Sequence, residues 1–369
     1  MPCLNEAASV GHCVRAALEA LAAAGLEGEV VVADNGSTDG SPDIAREAGA
    51  RVVEVPVRGY GAAYLAGLAA ARGRLLVLAD ADGTYPLEEV PAFVAKLREG
   101  NDVVIGSRFA GRIMPGSMPW LHRYVGNPIL TRLLGLFFGR RVSDAHCGMR
   151  ALTREANEAL RLRTTGMEYA SEMIAMAIRR GLKLAEIPIT YRPRAGESKL
   201  RSFRDGWRHL RFMLLLSPTP LFLVPGLISV VAGLVMLAVL LPGPVVIGGV
   251  RFDFHFMFVA SALAILGVQL MGLGLAAKLA ARAELAQDDR WVLFLDRWFT
   301  LERGLLTGGA LAAAGLGVNV MILVDWLRAG RTALFAVRPA LVGLTLLVIG
   351  TQVVFGSFFL SVVRDDARG

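Results

Sequence analysis

The chain predicts an α/β domain followed by an all-α membrane domain of four helices. Three observations carry this. Short β-branched or aliphatic runs alternate with Ala-rich helical stretches at the start, the composition changes sharply after Arg211, and four long apolar runs follow that change. With 54% hydrophobic and 19% charged residues, the chain is too apolar to be wholly water-exposed and far too apolar to be disordered.

In order, Glu29–Ala33, Arg51–Pro56, Leu75–Ala79 and Asp102–Ile105 read as strands that end at polar turns. Ala7–Ala24, Pro42–Ala48, Gly61–Ala71 and Leu87–Glu99 read as the helices around them. This rhythm predicts a doubly wound sheet. Such sheets bind ligands outside the carboxyl ends of their strands, so chemistry is expected in the turns after each strand.

Leu221–Leu241, Phe256–Ala277, Gly304–Val324 and Ala340–Val363 hold 21, 22, 21 and 24 mostly apolar residues. At about 1.5 Å per residue each reaches the ~30 Å hydrocarbon core, which predicts four spans. The loop Lys278–Arg303 carries Lys278, Arg282, Arg290, Arg297 and Arg303, against Arg251 in one other loop and Arg328, Arg331 and Arg338 in the last. The positive-inside rule then predicts N-in and C-in, with the N-terminal domain in the cytoplasm. No basic segment followed by an apolar run opens the chain, so no signal peptide is expected. Gln269, Asn319 and Gln352 fall within spans and predict hydrogen bonds between helices.

The expected boundaries are 1–200 for the catalytic domain, 201–220 for an amphipathic juxtamembrane segment, 221–363 for the membrane domain and 364–369 for a cytoplasmic tail. Net charge is +7, and residues 1–211 carry +5 of it. That excess favours anionic partners, such as phosphates or a membrane surface; no nucleic acid is expected. Arg201, Arg204, Arg208 and Arg211 mix with Phe203, Trp207, Leu210 and Phe212, as in a helix lying at the headgroups. Ile129–Phe138 is too short to span and reads as a core helix, with an interfacial dip as the other reading. Cys3, Cys13 and Cys147 form no CxxC pair and predict buried or free thiols.

Three turns stand out. Asp34-Asn35-Gly36-Ser37-Thr38-Asp39-Gly40 follows the first strand. There Asp34 can accept hydrogen bonds from a base or ribose, and Ser37, Thr38 and Asp39 can equally cap the next helix. Gly59-Tyr60-Gly61 opens a helix but lacks the third glycine of a dinucleotide fingerprint, which argues against a hydride-transfer cofactor. Asp80-Ala81-Asp82-Gly83-Thr84 follows the third strand. Two carboxylates at the end of an apolar strand are costly unless a cation joins them, so Asp80 and Asp82 are expected to hold Mg²⁺ or Mn²⁺ with a diphosphate.

The ordered set Pro2-Cys3-Leu4-Asn5-Glu6, Asp34–Asp39, Asp80-Ala81-Asp82 and Gly106-Ser107-Arg108 resembles the family 2 glycosyltransferases of GT-A fold. Ser143-Asp144-Ala145-His146-Cys147-Gly148-Met149-Arg150, Gly166-Met167-Glu168-Tyr169 and Arg194-Ala195-Gly196-Glu197-Ser198-Lys199-Leu200 resemble the dolichyl- and polyprenyl-phosphate hexosyltransferase branch. The resemblance covers residues 2–211 and implies a GT-A (Rossmann-like) nucleotide-sugar-binding domain. It implies transfer of a hexose from a nucleotide diphosphate sugar to polyprenyl phosphate, with inversion.

By that resemblance Pro2, Asn5, Glu6, Asp34, Asp80 and Asp82 hold the nucleotide sugar, and Asp80 and Asp82 the divalent metal. Arg108, Arg123, Arg194, Ser198 and Lys199 hold the acceptor phosphate, and Asp82, Arg108, Asp144 and Lys199 are the expected catalytic residues. Glu168 and Glu172, four apart on a helix, either orient those cations or form a plain surface pair. Family members carry an apolar strand before the Pro-x-x-Asn-Glu segment, so the true start is expected upstream of Met1. Thr84 stands where several relatives carry a Gln beside the metal.

A phosphate acceptor, with a second pKa near ~6, is already ionised and needs a basic cradle rather than a strong base. A transferase acting on an already glycosylated lipid would need a base, and Asp144 is its candidate. A processive polysaccharide synthase shares the fold. Its Gln-x-x-Arg-Trp signature occurs as Gln287-Asp288-Asp289-Arg290-Trp291, but beyond two spans and without a Thr-Glu-Asp triplet, so it reads as coincidence. A non-enzymatic scaffold is the third alternative. Richness in Ala, Gly, Leu and Arg points to a GC-rich bacterial genome, hence an undecaprenyl-type lipid in a bacterial cytoplasmic membrane. The sugar, the nucleotide and a homo-oligomeric state are left open.

Overall fold

The computed structural model describes residues 1–195, 202–285, 300–330 and 336–366. Two compact units divide the chain, Met1–Leu216 and Ser217–Gly369. Ser198, Lys199 and Gln287–Trp291 lie outside the described residues.

The first unit runs β1 (Pro2–Cys3), α1 (Val10–Ala23), β2 (Val31–Asp34), α2 (Ser41–Glu47), β3 (Arg51–Glu54), α3 (Tyr60–Ala70), β4 (Leu75–Leu78), α4 (Val90–Arg98) and β5 (Val103–Ile113). It continues with α5 (Asn127–Phe138), β6 (Arg150–Thr153), α6 (Arg154–Leu160), α7 (Tyr169–Arg179), β7 (Leu184–Tyr191) and α8 (Ser202–Leu216). Each strand and helix expected up to Ile105 is present within about three residues at each end, except that β5 runs on to Ile113. The amphipathic helix α8 groups with this unit, so the division falls after Leu216 rather than at 200 and 220.

Strands β1, β2 and β3 form one parallel sheet, and β4, β6, β5 and β7 a second in that spatial order. A cavity of about 280 Å³ is lined by Met1, Val30 and Val31 from the first sheet's side and by residues 75–79 from the second's. The second sheet departs from the doubly wound expectation, because β6 runs antiparallel between β4 and β5. Four residues, Arg150-Ala151-Leu152-Thr153, are too few to show an alternating pattern, so the sequence did not announce this strand. Its direction matters for function. Arg150 opens β6 opposite Leu78, the last residue of β4, and Ile105, the last residue of β5 that pairs with β6, so the loop that precedes Arg150 lies at the carboxyl end of β4, where ligands bind. Val103, Val104, Ile105, Ala151 and Leu152 are fully buried and fix that placement.

The second unit contains α9 (Val224–Leu240), the hairpin β8 (Val245–Ile247) and β9 (Val250–Phe252), then α10 (Phe254–Leu285), α11 (Leu301–Arg328) and α12 (Val337–Asp366). Thr219–Leu240, Phe254–Ala280, Leu301–Arg328 and Val337–Arg364 are long and apolar enough to cross a membrane, a little longer than expected at most ends. Helix α9 packs on α10, α10 on α12, and α12 on α11. Asp253 caps α10 and pairs with Arg251 at 3.1 Å and Arg338 at 2.5 Å, which joins the starts of α10 and α12.

Asn319 and Gln352 do not show the bonds between helices expected of them. Asn319 donates to the Gly315 carbonyl of its own helix and Gln352 Oε1 is buried without a partner. Among the described residues the bond between α10 and α12 is Ser261 with Thr345, at 2.7 Å.

Tight pairs are made by glycine instead. A Cβ at Gly350 would lie 2.3 Å from Ala312 N, and one at Gly315 2.4 Å from Leu347 N, so α11 and α12 touch backbone to backbone. Gly350→Leu should therefore cost at least about 1–3 kcal/mol. Gly317→Leu, at a site with open space, should be tolerated. Thermal unfolding in detergent checks the contrast, and equal midpoints would overturn it.

Candidate active site

The turns after β1 and β2 are knitted into one surface. Asn5, in the left-handed region at φ 51°, accepts from Thr38 N at 2.8 Å and donates its own N–H to Ser37 Oγ at 2.9 Å. Glu6 N donates to Ser41 Oγ, and Ala7 N to Asp39 Oδ2, each at 2.9 Å. Asp34 Oδ2 accepts from Gly36 N and Ser37 N at 3.1 Å. Its Oδ1 is buried and accepts nothing. A desolvated carboxylate oxygen without a donor is costly unless a ligand supplies one, and a nucleoside N–H or ribose hydroxyl would do so. Pro2 sits in β1, beside Ala33 of β2. Asn35 joins the next element: it donates to the Val55 and Val57 carbonyls and accepts from Gly59 N at 2.7 Å.

Helix α3 follows at once. Gly61 N donates to Gly166 O at 3.2 Å and Ala62 N to Thr165 O at 3.1 Å, so the first helical amides are spent on protein carbonyls. A Cβ at Gly59 would meet Thr165 O at 2.1 Å, and one at Gly61 would meet Thr164 O at 2.2 Å. These glycines serve a close approach of loop and helix, not a dinucleotide. The loop is held in turn by the buried Glu172, which accepts from Arg163 N (3.0 Å), Thr164 N (2.9 Å) and Thr164 Oγ1 (2.6 Å). Glu172 thus binds neutral backbone and hydroxyl donors, neither of the readings given to it from spacing. Glu172→Ala strands three donors at once and should cost about 2–4 kcal/mol. Chemical denaturation measures it, and a loss below about 1 kcal/mol would refute the anchor.

What the loop positions is a pair of tyrosines. Tyr60 and Tyr64, four apart on α3, donate to Asp80 Oδ1 at 3.1 and 2.9 Å, and Tyr64 stacks on Tyr169 with centroids 5.4 Å apart. Burial and the neighbouring Asp82 carboxylate push Asp80 up to about 6. Asp82 Oδ1 accepts from Thr84 N (3.0 Å) and Thr84 Oγ1 (2.6 Å), so Thr84 orients Asp82. Among the described residues Asp80 Oδ2 and Asp82 Oδ2 accept no hydrogen bond. No group of three or more His, Cys, Asp or Glu side chains there could hold a metal unaided. Two mutually repelling carboxylates, each with one oxygen that accepts no hydrogen bond, fit a hard divalent cation whose other ligands are phosphate and water.

Arg194 comes to this group. Its Nη2 donates to Glu6 Oε1 at 2.6 Å, and its Nε stands 3.6 Å from Asp82 Oδ2. Backbone bonds from Arg192 N to Thr84 O and from Ala195 N to Asp82 O seat the segment there. Arg123 is not gathered in; its guanidinium lies over the Tyr124 ring.

Arg108 and Asp144 form the second centre. Arg108 Nε and Nη2 meet Asp144 Oδ2 and Oδ1 at 2.6 and 2.8 Å, and Arg108 N adds a bond to Oδ2 at 3.1 Å. His146 N donates to Oδ1 at 3.2 Å. Asp144 is fully buried and Arg108 is 7% exposed, with the guanidinium over Tyr191 at 5.2 Å. The buried Arg150 fixes the intervening loop through the carbonyls of Ala145, Cys147 and Ala170. Cys3, Cys13 and Cys147 are buried and free, and burial pushes the Cys147 thiol up to about 12, which makes it inert.

The sequence missed Tyr60, Tyr64, the role of Glu172 and the placement of Arg194. A signal existed for the tyrosines alone, since their i, i+4 spacing puts both hydroxyls on one helix face.

Carboxylates and guanidinia thus gather at the carboxyl ends of β2 and β4 and just past the stretch of β5 that pairs with β6, in an α/β domain of the GT-A-like class of glycosyltransferases. Residues 1–161 match Glycosyl transferase family 2, and residues 274–364 match the Glycosyltransferase family 2 C-terminal transmembrane region. A low-salt glycan biosynthesis hexosyltransferase of Haloferax volcanii is 42% identical over 361 residues, 98% of this chain and 87% of its own. A dolichyl-phosphate hexose transferase of the same organism is 41% identical over 180 residues, 48% of this chain and 76% of its own. Glucosyl-3-phosphoglycerate synthase from Mycobacterium tuberculosis, solved with Mn²⁺, UDP-glucose and phosphoglyceric acid, is 28% identical with a TM-score of 0.46, covering 58% of this chain and 76% of that one. The chain belongs to glycosyltransferase family 2 and is a membrane glycosyltransferase.

Proposed function

We propose that this enzyme moves a hexose from a nucleotide diphosphate sugar to a polyprenyl phosphate, with inversion, at the cytoplasmic face of its membrane. The observation that carries the choice of acceptor is the Arg108–Asp144 pair. Both oxygens of Asp144 are occupied by Arg108 and His146, so the carboxylate that a hydroxyl acceptor would use as base is already engaged. An acceptor that arrives ionised needs no base, only a fixed cation, and Arg108 is fixed.

On the donor side Asp34 Oδ1 receives the nucleoside, while Asp80 and Asp82 would hold the divalent cation, with Asn5, Glu6 and Pro2 shaping the floor. When bound, that Mg²⁺ or Mn²⁺ neutralises charge on the departing diphosphate. Arg194, between Glu6 and Asp82, is placed to add to that neutralisation or to pass to the acceptor phosphate once the donor binds. Ser198 and Lys199 complete the acceptor cradle in this reading.

The lipid surface is reached by two packed helices. Trp120, Leu121, Tyr124, Ile129 and Leu136, on and before α5, are exposed, as are Phe203, Trp207 and Leu215 on α8. Helices α5 and α8 contact each other, and exposed aromatic and aliphatic side chains beside arginines suit an interface with headgroups. The Asp253–Arg338 pair supports alternating spans, since it brings the starts of the second and fourth to one side. Two of the relatives described above come from Haloferax volcanii and one of them is named for dolichyl phosphate, so the acceptor is proposed by class, undecaprenyl or dolichyl, rather than by chain length.

The test is lipid labelling. Membranes containing the protein receive Mg²⁺ or Mn²⁺, short-chain polyprenyl phosphate and a panel of radiolabelled nucleotide sugars, with Asp82→Asn as control. One donor should give an extractable, metal-dependent monosaccharide lipid that the control lacks. Nucleotide-sugar binding without lipid product would reject the prenyl-phosphate acceptor and favour a lipid-linked saccharide.

A further inference from the structure

Helix α7 opens with Tyr169-Ala170-Ser171-Glu172, all buried. Tyr169 and Glu172 serve the donor side, as described above. Ser171 serves neither carboxylate centre directly. Its hydroxyl lies 2.8 Å from His209 Nδ1 and 3.3 Å from His146 Nε2, and the two imidazoles meet edge to face with centroids 4.6 Å apart. A serine between two buried histidines is a polar group deep in the unit that the transfer reaction does not use.

Each histidine belongs to a different working part. His146 lies two residues beyond Asp144 and gives its backbone N–H to the same carboxylate that clamps Arg108. His209 lies on α8, on the face turned away from Phe203 and Trp207, which are 87% and 59% exposed. A proton on His146 Nδ1, buried without a partner, would be an unsatisfied donor. The proton therefore belongs on Nε2, His146 donates to Ser171, and Ser171 donates to His209 Nδ1. Both rings are neutral: burial pushes His209 down to about 4, and burial, His209 and the nearby Arg108 and Arg150 guanidinia hold His146 well below its ordinary range. Asp205, on the same helix, acts the other way on His209. A second attachment, Arg179 to the Leu216 carbonyl, ties the far end of α8 to α7.

We propose that His209 is a positioning residue which, through Ser171 and His146, couples the seating of α8 on the lipid surface to the Asp144–Arg108 clamp and so sets the affinity for the acceptor phosphate. The coupling rests on the polyprenyl-phosphate reading. It makes the helix that senses the bilayer and the cation that meets the phosphate two ends of one hydrogen-bonded chain. Loss of the His209 bond frees the membrane end while Arg179 keeps α8 attached.

The experiment compares full-length wild type, His209→Ala, His209→Asn and Ser171→Ala in lipid nanodiscs. The amide of His209→Asn can take the place of Nδ1. In His209→Ala and Ser171→Ala the KM for short-chain polyprenyl phosphate should rise about tenfold, with kcat and the Kd for nucleotide sugar within about twofold, and His209→Asn should recover most of the loss. Hydrogen–deuterium exchange should quicken together in α8 and in residues 143–149 of His209→Ala, and stay unchanged in β2 and β3.

A rise in donor Kd as large as the rise in KM would overturn the proposal, as would faster exchange in α8 with residues 143–149 unaffected. If wild type makes no prenyl product, the acceptor reading fails instead, and the exchange comparison still decides the coupling.

Discussion

Arg108→Ala should abolish transfer and also destabilise the first unit by about 3–5 kcal/mol, because it leaves Asp144 charged, fully buried and without its partner. The two losses have different causes, and a second variant separates them. Arg108→Met combined with Asp144→Leu removes both charges at similar volume. It should recover most of the stability, since an apolar pair avoids the desolvation that the ion pair must offset, and recover none of the transfer. Unfolding in detergent followed beside the labelling assay measures both. Transfer by the double variant above about a tenth of wild type would mean that Arg108 is structural only.

The second large effect is expected at the paired aspartates. Asp80→Asn or Asp82→Asn should each lower transfer by at least about 10²–10³-fold, the range for removing one preorganised electrostatic group. Either change halves the negative charge that draws a divalent cation to the turn, so Mn²⁺ binding in the presence of nucleotide should weaken in parallel. Tyr60→Phe with Tyr64→Phe is the informative comparison. It leaves both carboxylates but frees Asp80 Oδ1 from its two hydroxyl donors. A smaller loss, about tenfold, is expected from misorientation alone. Rates for Asp82→Asn within tenfold of wild type would show that these carboxylates do not act in the reaction.

How far the site could be read from sequence follows from where each residue sits. Asp34 and Asp80 end or follow apolar runs, and a strand's carboxyl end is where a sheet exposes functional groups, so pattern alone reached them; Arg108 was reached through the family resemblance of Gly106-Ser107-Arg108. The spans were legible for the same reason, through unbroken apolar length. Strand β6 was not legible, because four residues carry no periodicity and an antiparallel insertion depends on partners 72 to 78 residues away in β4 and 45 to 49 away in β5. Glu172 was misread because helical spacing reports which side chains share a face, not that one of them turns to backbone amides of a preceding loop. His146 and His209 meet across 63 positions, and nothing local shows that they meet.

The glycine contacts between the membrane helices bear on where the tail of the proposed polyprenyl phosphate could go. At Gly308, Gly315 and Gly350 even a single added carbon would sit 2.8 Å or less from the backbone of the facing helix. An isoprenoid chain, several ångströms thick, finds no lane between α11 and α12 at those depths. The same holds between α9 and α10, where a carbon on Gly233 or Gly267 would stand 2.5 or 2.6 Å from the opposing backbone. On the polyprenyl-phosphate reading proposed above, a prenyl tail would lie along the outside of these pairs or beside the seam of α10 and α12, and the membrane helices would guide it by exclusion.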